Sequence, residues 1–437
     1  MTHPPEDLDR ELRQLRGRQL RAILSSDWQA IAGARRNLPL LRESLCRPRS
    51  VARTCLLDSP LLGGWIQDVL FWRELWRRSV NFLDRGGAPT ERNWLFDRIA
   101  RTEYLTEAVP SGKIDAGFPR RVRDRAVRVL RDRWSDLPRI LLPHLPASGI
   151  GRVRLHFSER LDEGCPANRI RLGMTPAVLL WKGAGRPRDV TARLSHGALT
   201  LKGPLAIRLH ETIPGTSFLL AHRLVSTRRS LRVGHRVSGL GRRTKQALSL
   251  VDRAWPWAGE EIRRRSWMVV PLVEPGTVSY SQLARPGISY INVLRGTILD
   301  LADDLLHETA HHRLHARQEL GPLIRDDGDP RYTSPWRQGL RPLNGILHGA
   351  YTFLFRAELF LRLLRGEPAL SPARRGWIRT EAEREIAHCA QALRELAVAD
   401  SEGLLTRSGV ILGREMVRRL EGLRRGRLYG WNHSSIF

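Results

Sequence analysis

Residues 297–314 read TILDLADDLLHETAHHRL, and this stretch decides how the C-terminal part of the chain folds. Its apolar residues recur at three- and four-residue spacing, which is typical of a helix with one face in a core. These residues are Ile298, Leu301, Ala302, Leu305, Leu306, Ala310 and Leu314. Thr297, followed by Asp300 three residues later, predicts an N-cap with a weak capping box. We therefore predict a buried helix that begins near Thr297.

The middle of this helix carries the motif His307-Glu308-Thr309-Ala310-His311. Two histidines four residues apart lie on the same face of a helix, one turn apart, where two imidazole nitrogens can hold one metal ion. Because the chain has 14 histidines, this spacing could occur by chance and indicates a metal site only on a helix. The predicted helix supplies that context. A metal enzyme is the leading hypothesis.

Two histidines seldom complete a catalytic metal site, which usually has a third protein ligand and positions open to water or substrate. His315 continues the same stripe, but it lies about 12 Å along the helix axis from the first histidine of the motif, too far for one ion. The adjacent His312 points roughly a third of a turn away. The third ligand is therefore expected from another segment, and the candidates are Glu358 and His348.

A second motif follows the helix by about two dozen residues, and it consists of SPWR at 334–337, RPL at 341–343 and GILHGAYTF at 345–353. This order of motifs resembles the HExxH-type 2-oxoglutarate-dependent peptide β-hydroxylases of ribosomal peptide natural-product (RiPP) biosynthesis. The resemblance covers roughly residues 285–360 well, and the remainder of the chain only in general layout.

The resemblance implies a mononuclear Fe(II) site with His307, His311 and His348 as ligands, and open positions for 2-oxoglutarate and O₂. The activity that it implies is an oxidoreductase activity, a dioxygenase that hydroxylates the β-carbon of a residue in a ribosomally made precursor peptide. Three histidines depart from the usual pair of histidines with one carboxylate. An arginine fork fits the distal carboxylate of 2-oxoglutarate, and the candidates within the second motif are Arg337 and Arg341.

Glu308 is the candidate catalytic residue, and two roles are open to it. In a zinc metallopeptidase of the HExxH type it would be the general base that deprotonates metal-bound water, with Glu358 or His348 as the third zinc ligand. In an oxygenase the carboxylate would orient a ligand or contact the substrate. The zinc peptidase stays open as the alternative function, and a binding scaffold without catalysis is a third.

Three regions can be distinguished along the chain, and together they predict an α+β fold that is mostly helical. Residues 1–148 form a helical region, residues 149–295 a region with a small antiparallel or mixed β-sheet, and residues 296–437 the helical catalytic region that carries the metal-binding helix. The run at 287–292 is predicted to be a strand that lines the site, where an extended peptide could pair with it. Tyr290 in this strand and Trp336 in the second motif are the candidate substrate contacts.

The formal net charge of +28 predicts an anionic partner. The basic residues form no single tract and accompany no nucleic-acid-binding signature, so an acidic precursor peptide is the expected partner and nucleic acid is not. Four scattered cysteines argue against a disulfide framework. With a charged N-terminal segment and no long apolar run, the chain is expected to be cytoplasmic and to lack a membrane association.

Overall fold

The computed structural model describes residues 5–25, 57–87, 90, 92–95, 114–134, 151–155, 169–171, 178–182, 190–195, 198–202, 206–210, 213, 215–216, 218–220, 231–234, 237–283, 285–294, 296–325, 330–367 and 370–426. Within these residues, no helix combines the length and the apolar composition that crossing a membrane would need.

The fold is α+β and mostly helical, as predicted. The longer helices of the described residues are α1 (Pro5–Leu24), α2 (Pro60–Asp84), α3 (Phe118–Trp134), α4 (Leu240–Ala254), α5 (Pro256–Arg265), α6 (Ile298–Leu320), α7 (Leu343–Gly366), α8 (Pro372–Ser401) and α9 (Arg407–Arg424). The predicted start of the metal-binding helix is confirmed. The hydroxyl of Thr297 accepts a hydrogen bond from the Asp300 amide, and the Asp300 carboxylate accepts one from the Thr297 amide, which completes a capping box.

The strands of the described residues lie between residues 151 and 292 and in one short hairpin after α6. They are β1 (Gly151–Leu155), β2 (Arg169–Arg171), β3 (Val178–Lys182), β4 (Val190–Ser195), β5 (Ala198–Lys202), β6 (Ala206–His210), β7 (Leu219–Leu220), β8 (Met268–Leu272), β9 (Tyr280–Ser281), β10 (Ile288–Asn292), β11 (Tyr332–Thr333) and β12 (Leu340–Arg341). An antiparallel sheet has the order β1-β4-β5-β2, and β3 pairs with β6. The hairpin of β11 and β12 lies in the segment that joins α6 to α7.

A mixed sheet with the order β7-β8-β10-β9 positions the metal-binding helix. β7, β8 and β10 are parallel, and β9 is antiparallel to β10. Every residue of β8 and β10 is buried, as expected for strands that are covered on both faces. Because β10 has a neighbour on each side, it is an interior strand and cannot be the edge at which an extended peptide pairs.

Alternate residues of the mixed sheet enter two different cores, since successive side chains of a strand point to opposite faces. Val270 and Tyr290 pack in one core with Trp65 and other side chains of α2 and α3. Val269 and Ile291 pack in the other core with side chains of α4 to α9. The sheet is thus sandwiched between the N-terminal helices and α6. The boundaries predicted at residues 148 and 295 stay a prediction.

A buried ion network anchors α6 to its neighbours. The guanidinium of Arg313 in α6 donates to the Glu261 carboxylate in α5 at 2.7 Å, and both side chains are 2% exposed. Arg265, also in α5, joins Glu261 to Asp9 of α1. Burial raises the pKa of Glu261, but the arginines around it outweigh burial and hold the pKa at about 2. Glu261 is therefore ionised, and its charge links three helices.

Candidate metal centre

The stripe of histidines on α6 follows directly from the helical spacing. His307, His311 and His315 occur at every fourth position, so their rings follow one another along one side of the helix. The ring centroids of His307 and His311 are 5.0 Å apart, and those of His311 and His315 are 6.2 Å apart. The helix α6 therefore presents three imidazoles to the element that packs against this side.

The helix that packs there is α7, and four contacts fix its register against α6. They are Arg356 Nε to Asp303 Oδ2 at 2.9 Å, the rings of Phe353 and His307 at 4.9 Å, His348 Nδ1 to His311 Nδ1 at 3.1 Å, and Asn344 Oδ1 to Gln318 Nε2 at 3.0 Å. Positions rise along α6 as they fall along α7, so the two helices are antiparallel. This register places His348 opposite His311.

Three of these histidines form a group that could hold one metal ion. The ligating nitrogens of His311, His315 and His348 all lie within 4.8 Å of one another. The ring of His348 is 5.3 Å from that of His311 and 5.2 Å from that of His315. The group contains two of the three predicted ligands, His311 and His348. It adds His315 and does not contain His307, which lies one turn further along α6.

All four imidazoles are held in the neutral form that metal binding requires. Burial lowers the pKa of His348 to about 4. Burial and the nearby guanidinium groups of Arg356 and Arg337 lower the pKa of His307 to about 3. His311 and His315 have pKa values well below the usual one because of burial and the neighbouring imidazoles.

Two buried nitrogen atoms of this group lack a hydrogen-bond partner, namely Nδ1 of His315 and Nε2 of His348. A buried polar atom without a partner costs free energy, and such atoms are rare in folded proteins. A bound ion would supply the missing interaction for Nδ1 of His315, whereas His348 can give one ion only one of its two ring nitrogens. The donor set of three neutral imidazoles suits Fe(II) and Zn(II) alike.

His312 belongs to the structure of the fold rather than to the metal group. Its Nδ1 accepts a hydrogen bond from the Gly287 amide at 3.2 Å, and its Nε2 lies 3.1 Å from the Ser289 hydroxyl in β10. Both ring nitrogens are therefore engaged with the mixed sheet, as expected from the direction in which His312 leaves α6. Gly287 has a φ of 86°, and a Cβ there would lie 2.5 Å from Pro60, so glycine is required at this contact.

Glu308 is buried, at 1% exposure, and its Oε2 atom has no hydrogen-bond partner. Burial raises its pKa to about 8, the nearby carboxylates of Asp304 and Asp303 contribute to the rise, and the hydroxyl of Ser281 in β9 opposes it. Glu308 is not a member of the three-histidine group. It lies between the histidine stripe and the mixed sheet.

The second sequence motif packs over the histidines. The indole of Trp336 stacks on Phe353 with ring centroids 4.6 Å apart, and Phe353 in turn meets His307 edge to face. Gly349 makes this packing possible, because a Cβ at that position would lie 2.6 Å from the indole. The predicted substrate contact Trp336 is therefore a half-buried wall next to His307.

Glu385 in α8 holds this wall in place. Its carboxylate accepts a hydrogen bond from Trp336 Nε1 at 2.8 Å and one from Arg356 at 3.1 Å, and Arg356 also pairs with Asp303. Burial raises the pKa of Asp303 to about 7. The role of Glu385 cannot be recognised from the sequence, because a glutamate on a covering helix carries no motif.

The two candidate arginines lie in the segment that joins α6 to α7. Arg337 is exposed and Arg341 is half-buried. In the part of the chain that the structure describes, neither pairs with a carboxylate. Arg337 is close enough to His307 to lower its pKa, and Arg341 belongs to the β11–β12 hairpin. Of the two, Arg337 is the one with an electrostatic effect on a histidine of the stripe.

Two other candidates lie away from the histidines. Tyr290 is fully buried and stacks on Tyr280 at 4.5 Å, in the core formed with α2 and α3, so it lies on the sheet face opposite to α6. Glu358 is also fully buried, and its carboxylate accepts hydrogen bonds from Arg362 at 2.8 Å and from Arg419 at 2.7 Å. The structure brings neither residue to the metal group.

Comparison of the chain with known protein families gives no matching family, and a search of the curated proteins gives no match either.

Proposed function

We propose that this protein is an Fe(II)- and 2-oxoglutarate-dependent oxygenase that hydroxylates the β-carbon of a residue in a ribosomally made precursor peptide. The observation that carries the proposal is the group of three neutral histidines on α6 and α7, with Arg337 of the second motif close to the neighbouring His307. The resemblance of the two motifs to the peptide β-hydroxylases supports it from the sequence side.

The residues present fit a mononuclear iron centre. His311 and His348 would hold the ion together with a third histidine, either His307 or His315. When bound, Fe(II) with 2-oxoglutarate and O₂ supplies the oxidation, in which the cosubstrate becomes succinate and CO₂, one oxygen atom enters the peptide C–H bond and the other enters succinate. Three protein ligands leave coordination positions for the cosubstrate and for O₂.

The chain's own residues bind the cosubstrate and exclude water. A planar guanidinium can bind the distal carboxylate of 2-oxoglutarate through two parallel hydrogen bonds, and Arg337 or Arg341 would provide it. Trp336 and Phe353 form an apolar wall beside His307, which limits the access of water to the reacting centre. Glu385 acts through Trp336 and is a positioning residue.

An acidic peptide is the proposed substrate, because the net charge of +28 favours its encounter with the protein. The proposal places the reaction in the cytoplasm, where such peptides are made. A labelled synthetic peptide rich in aspartate should bind, and its affinity should fall as salt rises. Binding of a DNA duplex at ~0.2 M salt, with no preference for the peptide over a lysine-exchanged control, would contradict this choice of partner.

The experiment that tests the function needs no peptide. The purified protein is loaded with Fe(II) without oxygen, and 2-oxoglutarate is added. The account predicts a visible charge-transfer absorption when 2-oxoglutarate chelates the iron, with a dissociation constant that rises at least about tenfold in Arg337→Ala or Arg341→Ala. No absorption and no binding of 2-oxoglutarate in either the parent or the variants would reject the proposal.

Absence of 2-oxoglutarate binding would favour the zinc peptidase. The substitution Glu308→Gln separates the two functions. A peptidase would lose nearly all hydrolysis with its general base. The oxygenase retains part of its succinate formation, since Glu308 has no required proton transfer there. The form of the peptidase with Glu358 as third ligand is disfavoured, because two arginines already bind that carboxylate.

A further inference from the structure

The register of α6 and α7 leaves His348 with two possible partners besides His311. His348 lies opposite His311 in the helix pair. On α6, His307 is one turn before His311 and His315 is one turn after it. The helix spacing places these two about 12 Å apart along the axis, so a single ion cannot use both. The third ligand is therefore one or the other.

The side of His307 is occupied by an aromatic ring. Phe353 packs edge to face on His307 at 4.9 Å and is itself covered by the indole of Trp336. An aromatic side chain provides no ligand, and it fills space on the face of α7 that meets His307. The ligating atoms of His307 do not fall within the group formed by the other histidines.

The side of His315 is open to His348. Their ring centroids are 5.2 Å apart, and the buried Nδ1 of His315 has no hydrogen-bond partner. The Nδ1 atoms of His311 and His348 are 3.1 Å apart. With metal–nitrogen bonds of ~2.1 Å, two ligands at right angles on one ion lie ~3.0 Å apart, so this pair already has the separation of adjacent ligands.

We propose that the metal ion is bound by His311, His315 and His348, and that His307, the first histidine of the HExxH motif, is not a ligand. The two metal ligands on α6 are then His311 and His315. His307 stays a neutral group beside Phe353, on the side of the ion where Arg337 and Arg356 lie. This assignment needs a divalent ion but no oxygenase activity, so it stands or falls separately from the proposed function.

Titration of the metal-free protein with Co(II), in competition with a chelator, tests the assignment. We expect His315→Gln to weaken Co(II) binding by 100-fold or more and His307→Gln to change it by less than about threefold. His348→Gln should match His315→Gln. His388→Gln is the control, since His388 lies on α8 near Trp336 and outside the metal group, and it should bind Co(II) as the parent does.

Two further measurements keep the test decisive if a buried substitution harms folding. Far-ultraviolet circular dichroism of each metal-free variant confirms that it folds, and the d–d spectrum of bound Co(II) reports the ligand set directly. An unchanged spectrum in His307→Gln with a changed one in His315→Gln supports the assignment. A large loss of affinity in His307→Gln, with or without a loss in His315→Gln, overturns it.

Discussion

At the scale of single residues, the arrangement depends on the absence of a side chain at Gly349. The Trp336 ring occupies the space that a Cβ would take, 2.6 Å away, and a methyl group there must push the indole off Phe353 and off its Glu385 acceptor. We expect Gly349→Ala to lower the free energy of unfolding by about 1–3 kcal/mol, as overpacking does.

Gly345→Ala is the matched control on the same helix. A Cβ there would make only an ordinary contact at 3.7 Å with Arg341, and glycine is unfavourable in a helix, so this variant should be unchanged or more stable by up to ~1 kcal/mol. Urea unfolding measures both. Equal effects of the two substitutions would show that the indole does not depend on Gly349.

The residue scale is also where prediction from the sequence was least complete. The spacing of His307 and His311 and the motif around His348 could be recognised without a structure. The membership of His315 in the three-histidine group could not be recognised in this way, because it depends on the register of α7 against α6 and not on distances along α6. Tyr290 lies in the predicted strand, but strand alternation turns its side chain toward the opposite core.

At the scale of elements, the metal-binding helix starts at a capping box that the sequence predicts. Removing the Thr297 hydroxyl leaves the Asp300 amide of the first turn without its acceptor. Thr297→Ala should therefore cost about 1 kcal/mol of unfolding free energy.

Thr380→Ala is the control for this substitution, because Thr380 is exposed in the interior of α8 and caps nothing. Alanine is the better helix former there, so no loss is expected. Chemical denaturation compares the two. A Thr380→Ala protein less stable than Thr297→Ala would mean that the cap contributes little to α6.

The helix α6 is predictable from its apolar spacing, and the strand β10 from a short run rich in isoleucine and tyrosine. The order of the mixed sheet was not predictable, because β9, only two residues long, is what makes β10 an interior strand. Short pairings of this kind depend on tertiary packing that no local pattern records.

At the scale of the whole molecule, the Glu261 network joins α1, α5 and α6. The folded-state pKa of Glu261, about 2, lies below its ordinary value of 4.5, so its contribution to stability is full above pH 4.5 and is lost as pH falls toward 2. Glu261→Gln should cost about 3–5 kcal/mol at pH 7, because Arg313 becomes a buried charge without its partner.

Thermal unfolding of the parent and of Glu261→Gln across pH 7 to 3 checks this linkage. The difference between them should shrink as the pH falls below 4.5, since Glu261 of the unfolded parent then takes up a proton that the folded parent does not. Glu74→Gln is the control, because Glu74 is an exposed partner of Arg77 and Arg78 and should change stability little. A constant difference for Glu261→Gln over the whole range would contradict the assigned pKa.

The proposed role of the histidines of α6 and α7 is to hold an iron ion at which O₂ oxidises 2-oxoglutarate. Succinate release by anaerobically purified, Fe(II)-loaded protein, measured with and without O₂, tests it most directly. We expect one bound iron per chain, succinate formation that requires both iron and O₂, and loss of that formation in His311→Ala and His348→Ala. Zinc in place of iron, with no succinate under any of these conditions, would contradict it.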